Sequence, residues 1–196
     1  MKSSFRNMVL SLSGLTIFVG AMLGGVNLLT AKPIEEASRK ARIDAMAAIL
    51  PLFNNDIYAD AISDDKGIIL YPASLDGKDV GAAVETFSNN GFAGRFSLIV
   101  GFDVNGIITG YKVLEHSETP GLGARMVEWF CTEGSTHYIP GTCHPLAVSA
   151  DGGDIDAITG ATITSRAFLE AVNIARTAFN NKYHISPTDE SSKCNI

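Results

Sequence analysis

The sequence predicts an α+β protein with a single N-terminal transmembrane helix and one small domain built on an antiparallel sheet. Two observations carry this prediction. The 25 residues from Asn7 to Ala31 contain no charge, and about 20 apolar residues suffice for a helix to cross the hydrocarbon layer. Residues 94–115 alternate between apolar and polar side chains around Asn105-Gly106. That alternation is typical of strands, and an Asn-Gly pair favours the positive φ angles of a tight hairpin turn.

The N-terminal segment is interpreted as a retained membrane anchor. Its apolar core, Met8–Leu29, exceeds the 7–15 residues or so of a signal-peptide core, and Thr30-Ala31-Lys32-Pro33 is a poor cleavage site. Lys2 and Arg6 precede the segment. Because positively charged flanks stay in the cytoplasm, we expect a cytoplasmic N-terminus and a domain on the outer side of the membrane.

Pro33, followed by two glutamates, predicts the start of a second helix that leads the chain away from the membrane. The expected organisation is a cytoplasmic tip with the transmembrane helix (1–32), a connecting helix (33–50), the soluble domain (51–184) and a polar tail (185–196). Within the domain, Val80, Ala82 and Val84 are expected to share one face of a strand. The predicted elements are a loop at 51–66, strands at 67–74, 80–87, 94–102, 107–114 and 146–149, and helices at 124–131 and 164–181.

Composition excludes several classes of function. The net charge of −6 and the absence of a basic patch argue against a nucleic-acid partner. The sequence contains no P-loop, no His-Glu-x-x-His and no Cys-x-x-Cys. Cys131 and Cys143 either form a disulfide or remain free thiols. These cysteines with His137 and His144 match no common zinc spacing, so we expect no metal site.

The stretch from Asp156 to Arg166 is the most informative motif. Thr159, Gly160, Ala161 and Thr162 stand directly before an apolar-periodic run that ends near residue 183. Small residues at a helix start allow a ligand to approach the free backbone N–H groups, which favour an anion. The alternative is an ordinary capped helix, with Ser165 or Thr162 as the N-cap.

The pattern Asp156-x-x-Thr-Gly-Ala-Thr162 and the segment Glu118-Thr-Pro-Gly-Leu-Gly123 resemble two motifs of the FMN-binding domains found in bacterial ion-translocating redox complexes. The chain resembles most closely the family of G subunits of Rnf (also called Rsx) electron-transport complexes, and the resemblance covers nearly its whole length. The C subunits of the sodium-pumping NADH:quinone oxidoreductase are the nearest alternative.

This resemblance implies that Thr162 carries FMN through a phosphoester, attached by a separate flavin transferase that uses FAD as donor. Thr159 and Thr164 are competing hydroxyls, and Gly160 and Ala161 leave the acceptor sterically open. Asp156 either orders the loop or serves the transferase. Arg166 either pairs with the FMN phosphate or is a solvated helix residue.

In the second motif, the resemblance implies a tight turn beside the isoalloxazine ring. Thr119 and Leu122 are its expected polar and apolar ring contacts, and Gly121 permits close approach of the backbone. Glu118 has either a turn role or a site role. The alternative is an ordinary strand-to-helix turn that binds nothing.

The function implied by the resemblance is that of an electron carrier without a catalytic residue of its own, anchored in the bacterial inner membrane with its FMN domain on the periplasmic side. Its expected partners are the other membrane and peripheral subunits of an Rnf-type complex, the flavin transferase and membrane lipid. Such a complex couples electron flow between ferredoxin and NAD to sodium or proton movement. The rival from another class is a non-redox, membrane-anchored binding module of the same fold.

Overall fold

The computed structural model describes residues 2–183, with side chains from residue 5 onward. The chain divides near Arg42 into two compact units. The first contains most of a long helix, and the second contains the end of that helix, a sheet and the remaining helices.

Helix α1 runs without interruption from Lys2 to Ile49. Its stretch Phe5–Ile49 is long and apolar enough to cross a membrane, and its most apolar window is not buried within the protein. Pro33 lies inside this helix, so the predicted helix start at Pro33 is wrong. Proline removes one backbone hydrogen bond, but its φ angle is helical, and the helix continues because alanine, lysine and glutamate around it favour the same conformation.

The sheet is a five-stranded antiparallel meander in which each strand pairs with the next along the chain, confirming the predicted fold class. The short first strand lies in a segment predicted as loop, because two residues carry no readable alternation. The four longer strands are confirmed with small shifts at their ends. The bounds are β1 Ile62–Ser63, β2 Ile69–Leu75, β3 Lys78–Gly91, β4 Gly94–Asp103 and β5 Ile108–Glu115.

The predicted hairpin at Asn105-Gly106 forms between β4 and β5, with a different turn from the one expected. Of the two residues, only Gly106 has a positive φ, 82°. The Asp103 carboxylate accepts hydrogen bonds from the Asn105 and Ile107 amides, each at 2.9 Å. These hydrogen bonds to the Asp103 side chain hold the turn in place, so the turn does not need a second residue in the left-handed conformation.

A bulge in the pairing of β2 with β3 changes the expected facing of Val80. The register shifts between Ala73 and Ser74, opposite Val80. Ala82 and Val84 therefore point into the core beneath the last helix, whereas Val80 packs on the opposite face of the sheet. The prediction that all three share one face is wrong for Val80, because one extra residue reverses the alternation.

Helix α3, Thr162–Tyr183, covers one face of the sheet and forms the main core with β3 and β4. It begins two residues earlier than predicted. Phe168 anchors it, because its ring stacks on Phe130 with centroids 4.5 Å apart and meets the edge of Tyr111 at 4.8 Å. The Tyr111 hydroxyl donates to the Met126 carbonyl at 2.7 Å, and burial raises the pKa of Tyr111 far above its ordinary value.

The remaining predictions have mixed outcomes. The helix expected at 124–131 is a 3-10 turn, Gly123–Arg125, followed by the short helix α2, Met126–Trp129. The strand expected at 146–149 is reduced to one parallel bridge between Val148 and Ile155. The predicted polar tail, 185–196, lies outside the described residues.

The cysteines do not form the pair that the spacing allowed. Cys131 has a free, exposed thiol, whereas Cys143 takes part in a disulfide. Between residues 2 and 183, no three His, Cys, Asp or Glu side chains are grouped so as to hold a metal ion.

Candidate functional site

The two sequence motifs meet at one cleft of about 350 Å³. Three segments form its walls: the turn between β3 and β4, the segment that precedes α2, and the beginning of α3. The lining residues are Phe92, Glu118, Thr119, Leu122, Gly123, Gly160, Ala161, Thr162, Ile163 and Thr164.

The segment Glu118–Gly123 makes a tight turn in which the Thr119 carbonyl accepts the amides of Leu122 and Ala124 at 3.1 and 3.2 Å. Gly121 takes a φ of 78° within this turn. It shapes the backbone, and its own atoms do not line the cleft. Thr119 and Leu122 remain exposed at the cleft edge, where a ligand can reach them.

Glu118 is the buried carboxylate of the site, with 5% of its surface exposed. Its Oε1 accepts a hydrogen bond from the Ala93 amide at 3.2 Å. Its Oε2 has no partner among the described residues. A Cβ on Gly123 would lie 2.3 Å from Oε2, so a larger residue there would force the Glu118 carboxylate to shift.

The Thr164 hydroxyl is a second buried polar group without a described partner, and it lies near the Glu118 carboxylate. Its side chain is fully buried and its Oγ1 has no hydrogen-bond partner within residues 5–183. It lies 2.9 Å from the position that a Cβ on Gly123 would take, next to the Glu118 carboxylate. Buried polar groups are nearly always hydrogen-bonded, so these two unpaired atoms distinguish the cleft floor from the rest of the core around it.

Thr162 is the first residue of α3 and is partly exposed in the cleft wall. Gly160, with φ 79°, turns the chain directly before it. Ser165 stabilises this turn, because its hydroxyl donates to the Ala161 carbonyl at 3.0 Å and accepts the Ile158 amide at 2.9 Å. The hydroxyl of Thr162 thus stands at the positive end of a 22-residue helix, where an anion is stabilised.

Asp156 lies outside the cleft wall and organises the loop that leads to it. Its carboxylate accepts hydrogen bonds from Thr136 at 2.5 Å and from Ser149 at 3.1 Å, and its carbonyl accepts one from the Trp129 indole at 3.1 Å. The hydroxyls of Thr136 and then Ser149 hold the pKa of this carboxyl below its usual range. Two roles were considered for Asp156, ordering of the loop and service to the transferase, and this geometry agrees with ordering of the loop.

Two further residues of the motif, Arg166 and Thr159, do not line the cleft. Arg166 forms a bidentate ion pair with Asp151, with Nε–Oδ2 at 2.7 Å and Nη2–Oδ1 at 2.8 Å. It therefore belongs to a separate surface groove and not to the cleft wall. Thr159 is absent from the wall as well, although it stands in the turn directly before α3.

Comparison with known proteins matches the part of the chain that forms this cleft to a described domain family. The family described as FMN-binding domain matches residues 91–177, which include every residue of the cleft wall. The chain is 34% identical over 186 residues to the G subunit of the ion-translocating oxidoreductase complex of Shewanella amazonensis, and the match covers 88% of this chain and 86% of that protein. It belongs to the family of G subunits of ion-translocating oxidoreductase complexes.

The G subunit of Erwinia tasmaniensis is 36% identical over 161 residues, covering 75% of this chain and 76% of the relative. Among solved structures, the crystal structure of the C subunit of Na⁺-translocating NADH-quinone reductase from Parabacteroides distasonis matches with a TM-score of 0.45 and 21% identity. That match covers 61% of this chain and 63% of the other. The resemblance to the G-subunit family inferred from the two motifs is confirmed.

Two residues of the cleft wall, Phe92 and Ile163, are not predicted from the sequence. Their side chains are 70% and 51% exposed. Ile163 directly follows Thr162, and in sequence it cannot be told apart from the other apolar residues of the helical run. Phe92 sits in the turn Gly91-Phe-Ala-Gly94. A large aromatic residue at a position where turns normally place polar or small residues was the available signal.

Proposed function

We propose that this member of the G-subunit family carries FMN as a phosphoester on Thr162 and relays electrons at the membrane. The observation that supports this most directly is the pair of orphaned buried atoms, Glu118 Oε2 and Thr164 Oγ1, in the same cleft as the Thr162 hydroxyl. A carboxylate that accepts and a hydroxyl that donates match the hydroxyl and amide groups of a flavin nucleotide.

The acceptor assignment rests on accessibility. In attachment from FAD, the Thr162 oxygen forms a new bond to the flavin-side phosphorus, AMP departs and the hydroxyl proton is lost. A transferase has to reach the acceptor from outside. Thr162 is partly exposed in the wall, Thr164 is fully buried and Thr159 lies outside the wall. Accessibility therefore favours Thr162 over Thr164, whereas its place in the cleft wall at the start of α3 favours it over Thr159, which is exposed but lies outside the wall.

The role proposed for the protein is to hold and orient the cofactor. When bound, FMN supplies the group that accepts and gives up electrons. The N–H groups at the start of α3 would stabilise its phosphate, Thr119 and Leu122 would contact it at the cleft edge, and Glu118 and Thr164 would bond it at the floor. None of these residues is assigned an acid, base or nucleophile role in a reaction of a soluble substrate.

We further propose the cellular setting implied by the relatives, whose names place them in ion-translocating oxidoreductase complexes. The chain would act in the bacterial inner membrane with its domain on the periplasmic side, in a complex that couples ferredoxin and NAD redox flow to sodium or proton movement. Helix α1 supplies the single membrane anchor. A cofactor held covalently in an anchored domain stays near its membrane partners in every redox state.

The acceptor is tested by co-expressing the full chain with a flavin transferase and imaging flavin fluorescence on a denaturing gel. We expect Thr162→Ala to abolish the fluorescent band, and Thr159→Ala and Thr164→Ala to retain it. Loss of the band in Thr164→Ala, with retention in Thr162→Ala, would show that the acceptor is assigned wrongly.

The relay role is tested on the purified, flavin-loaded full chain in detergent. We expect dithionite to bleach the flavin absorbance, because it needs only access to the ring, and NADH to leave it unchanged on the same time scale. Rapid oxidation of NADH by the chain alone would make it a dehydrogenase and contradict the relay role.

A further inference from the structure

The sequence contains three cysteines, at positions 131, 143 and 194. Cys143 is buried, with 2% of its surface exposed, and takes part in a disulfide. Its partner is not Cys131, because that thiol is free and exposed and donates a hydrogen bond to the Glu128 carbonyl at 3.3 Å. Cys194 is the one cysteine left in the sequence as a partner within the chain, and it lies outside the described residues.

The segment that leads to Cys143 is held against the start of β5. The Ile108 amide donates to the Thr142 carbonyl at 2.9 Å, and the Gly141 amide donates to the Ile108 carbonyl at 2.7 Å. The Thr142 hydroxyl also donates to the Ile139 carbonyl at 2.7 Å. The residue directly before Cys143 is thus fixed to the end of the sheet at which β4 turns into β5.

Helix α3 ends beside the same part of the sheet. The ring of Phe179 stacks on Phe102 with centroids 4.9 Å apart, and Tyr183 stacks on Phe179 at 4.6 Å. Phe102 is the residue of β4 that pairs with Ile108 of β5. The end of α3 and the segment that leads to Cys143 therefore both contact this one pair of strand residues.

The distance in sequence from the end of α3 to Cys194 is sufficient for a bond to Cys143. Residues 184–193 separate Tyr183 from Cys194, and an extended chain of that length covers up to about 35 Å. A disulfide requires Cα atoms roughly 4.4–6.8 Å apart. A segment that starts beside the Phe102–Ile108 pair meets this requirement without any movement of the sheet or of α3.

We propose that Cys143 and Cys194 are joined in a disulfide, which we call the tail disulfide. It closes a covalent loop from residue 143 to residue 194 that contains Thr162 and the whole of α3. A cross-link of this kind limits the conformations of the unfolded chain and so stabilises the folded one. The stabilisation falls on the helix that covers the core face of the sheet.

Formation of the tail disulfide is a two-electron oxidation. Two S–H bonds break and one S–S bond forms, while the two electrons and two protons reduce the disulfide of a thiol oxidoreductase to a dithiol by exchange through a mixed disulfide. Structural disulfides form and persist in oxidising compartments. The tail disulfide therefore agrees with a domain on the outer side of the membrane, as proposed above, and it does not depend on flavin attachment.

Peptide mapping tests the pairing. The full chain is extracted in detergent without reductant, alkylated under denaturing conditions and digested with chymotrypsin, which cleaves after Phe130 and Tyr138 and so separates Cys131 from Cys143. We expect mass spectrometry to find the Cys143 and Cys194 peptides linked, Cys131 alkylated, and a non-reducing gel to show the mass of one chain. An alkylated Cys143, or a Cys143 linked to Cys131 or to a second chain, would overturn the proposal.

The stabilising role is tested with Cys194→Ser against the matched control Cys131→Ser, which removes the free thiol. Urea unfolding of each chain is followed with and without reductant. We expect the midpoint of Cys194→Ser to lie at a lower urea concentration than that of the oxidised parent. Reductant should lower the midpoints of the parent and of Cys131→Ser to the same value, and leave Cys194→Ser unchanged. Equal midpoints for Cys194→Ser and the oxidised parent would show that no bond to Cys194 stabilises the domain.

Discussion

The Thr164 hydroxyl is buried at a point where no described group of the protein bonds it. Such an orphan costs about 1–3 kcal/mol. In a flavin-free Thr162→Ala background, we therefore expect Thr164→Val to leave the free energy of unfolding unchanged or to raise it by up to about that amount. In the flavin-loaded chain the same substitution would remove the bond to the cofactor that we propose for Thr164, so the gain should vanish.

Denaturant titration of the detergent-solubilised chain measures both cases. Thr177→Val is a suitable control, because that hydroxyl is exposed and already donates to the Asn173 carbonyl. A loss of stability from Thr164→Val that is as large without flavin as with it would show that the hydroxyl serves the fold and not the cofactor.

Because of the Asp156 carboxyl, we expect the stability of the folded chain to depend on pH in the acid range. Its hydrogen bonds from Thr136 and Ser149 favour the ionised form, so its pKa is lower in the folded chain than in the unfolded one. This contribution is present in full above the unfolded pKa of about 4 and is lost as the pH falls through the folded value. We expect Thr136→Val with Ser149→Ala to lose less stability on acidification than the parent chain.

Thermal unfolding between neutral pH and about pH 3 measures the difference. Asp151, whose pKa is lowered by Arg166, is unchanged in both chains and so cancels from the comparison. Identical pH profiles for the two chains would mean that Asp156 does not contribute to loop stability through its charge.

At the scale of the elements, the C-terminal end of α1 packs against two glycines. Gly101 and Gly110 face each other across β4 and β5, and a Cβ on either would meet Ile49, at 2.8 Å from its carbonyl in the first case and 3.2 Å from its side chain in the second. The Thr109 hydroxyl donates to the same Ile49 carbonyl. The outer face of the sheet is thus shaped to receive one helix terminus.

We expect Gly101→Ala to lower the free energy of unfolding by about 1–3 kcal/mol, as overpacking does in a well-packed core. Gly14→Ala is the control, because a Cβ there meets nothing within 4 Å. Denaturant unfolding followed by the circular dichroism of the sheet region measures the effect. Equal stability of the two variants would show that the contact is loose enough to accommodate a methyl group.

The sequence predicts the elements where physical signals are local. Alternation of apolar and polar residues identifies the two strands around Asn105-Gly106, and the small residues before an apolar-periodic run locate the start of α3 to within two residues. Two features are not predicted. The bulge between Ala73 and Ser74 turns the Val80 side chain to the other face of the sheet, and α1 continues through Pro33 because the residues around it favour a helix.

The candidate site, too, is predicted from the sequence only in part. The two motifs predict which backbone segments meet, because their residue types are unusual in themselves. Neither predicts Phe92, since it enters the cleft from a hairpin whose turn is closed by Glu118, a residue 26 positions further along. Likewise the place of Asp156 outside the wall depends on Thr136 and Ser149, which no spacing rule connects to it.

At the scale of the whole molecule, orientation across the membrane is testable with a natural reporter. Cys131 is exposed and free, and it belongs to the domain that we place outside. We expect a membrane-impermeant maleimide to label the parent chain in intact spheroplasts, and this labelling to fall in Cys131→Ser. Labelling that appears only after the membrane is permeabilised would reverse the proposed orientation.

The meander order of the sheet also has a consequence for biogenesis. Each strand pairs only with its neighbour in sequence, so the sheet can assemble progressively as the chain emerges from a translocation channel. Its apolar face, however, is covered by α3, the last described element, whose first residue is Thr162. In the orientation proposed above, the cleft therefore cannot form until α3 has crossed the membrane. A transferase that recognises the folded cleft would then act only on molecules whose described domain has been exported, which would make the proposed flavin attachment a late checkpoint on completed folding.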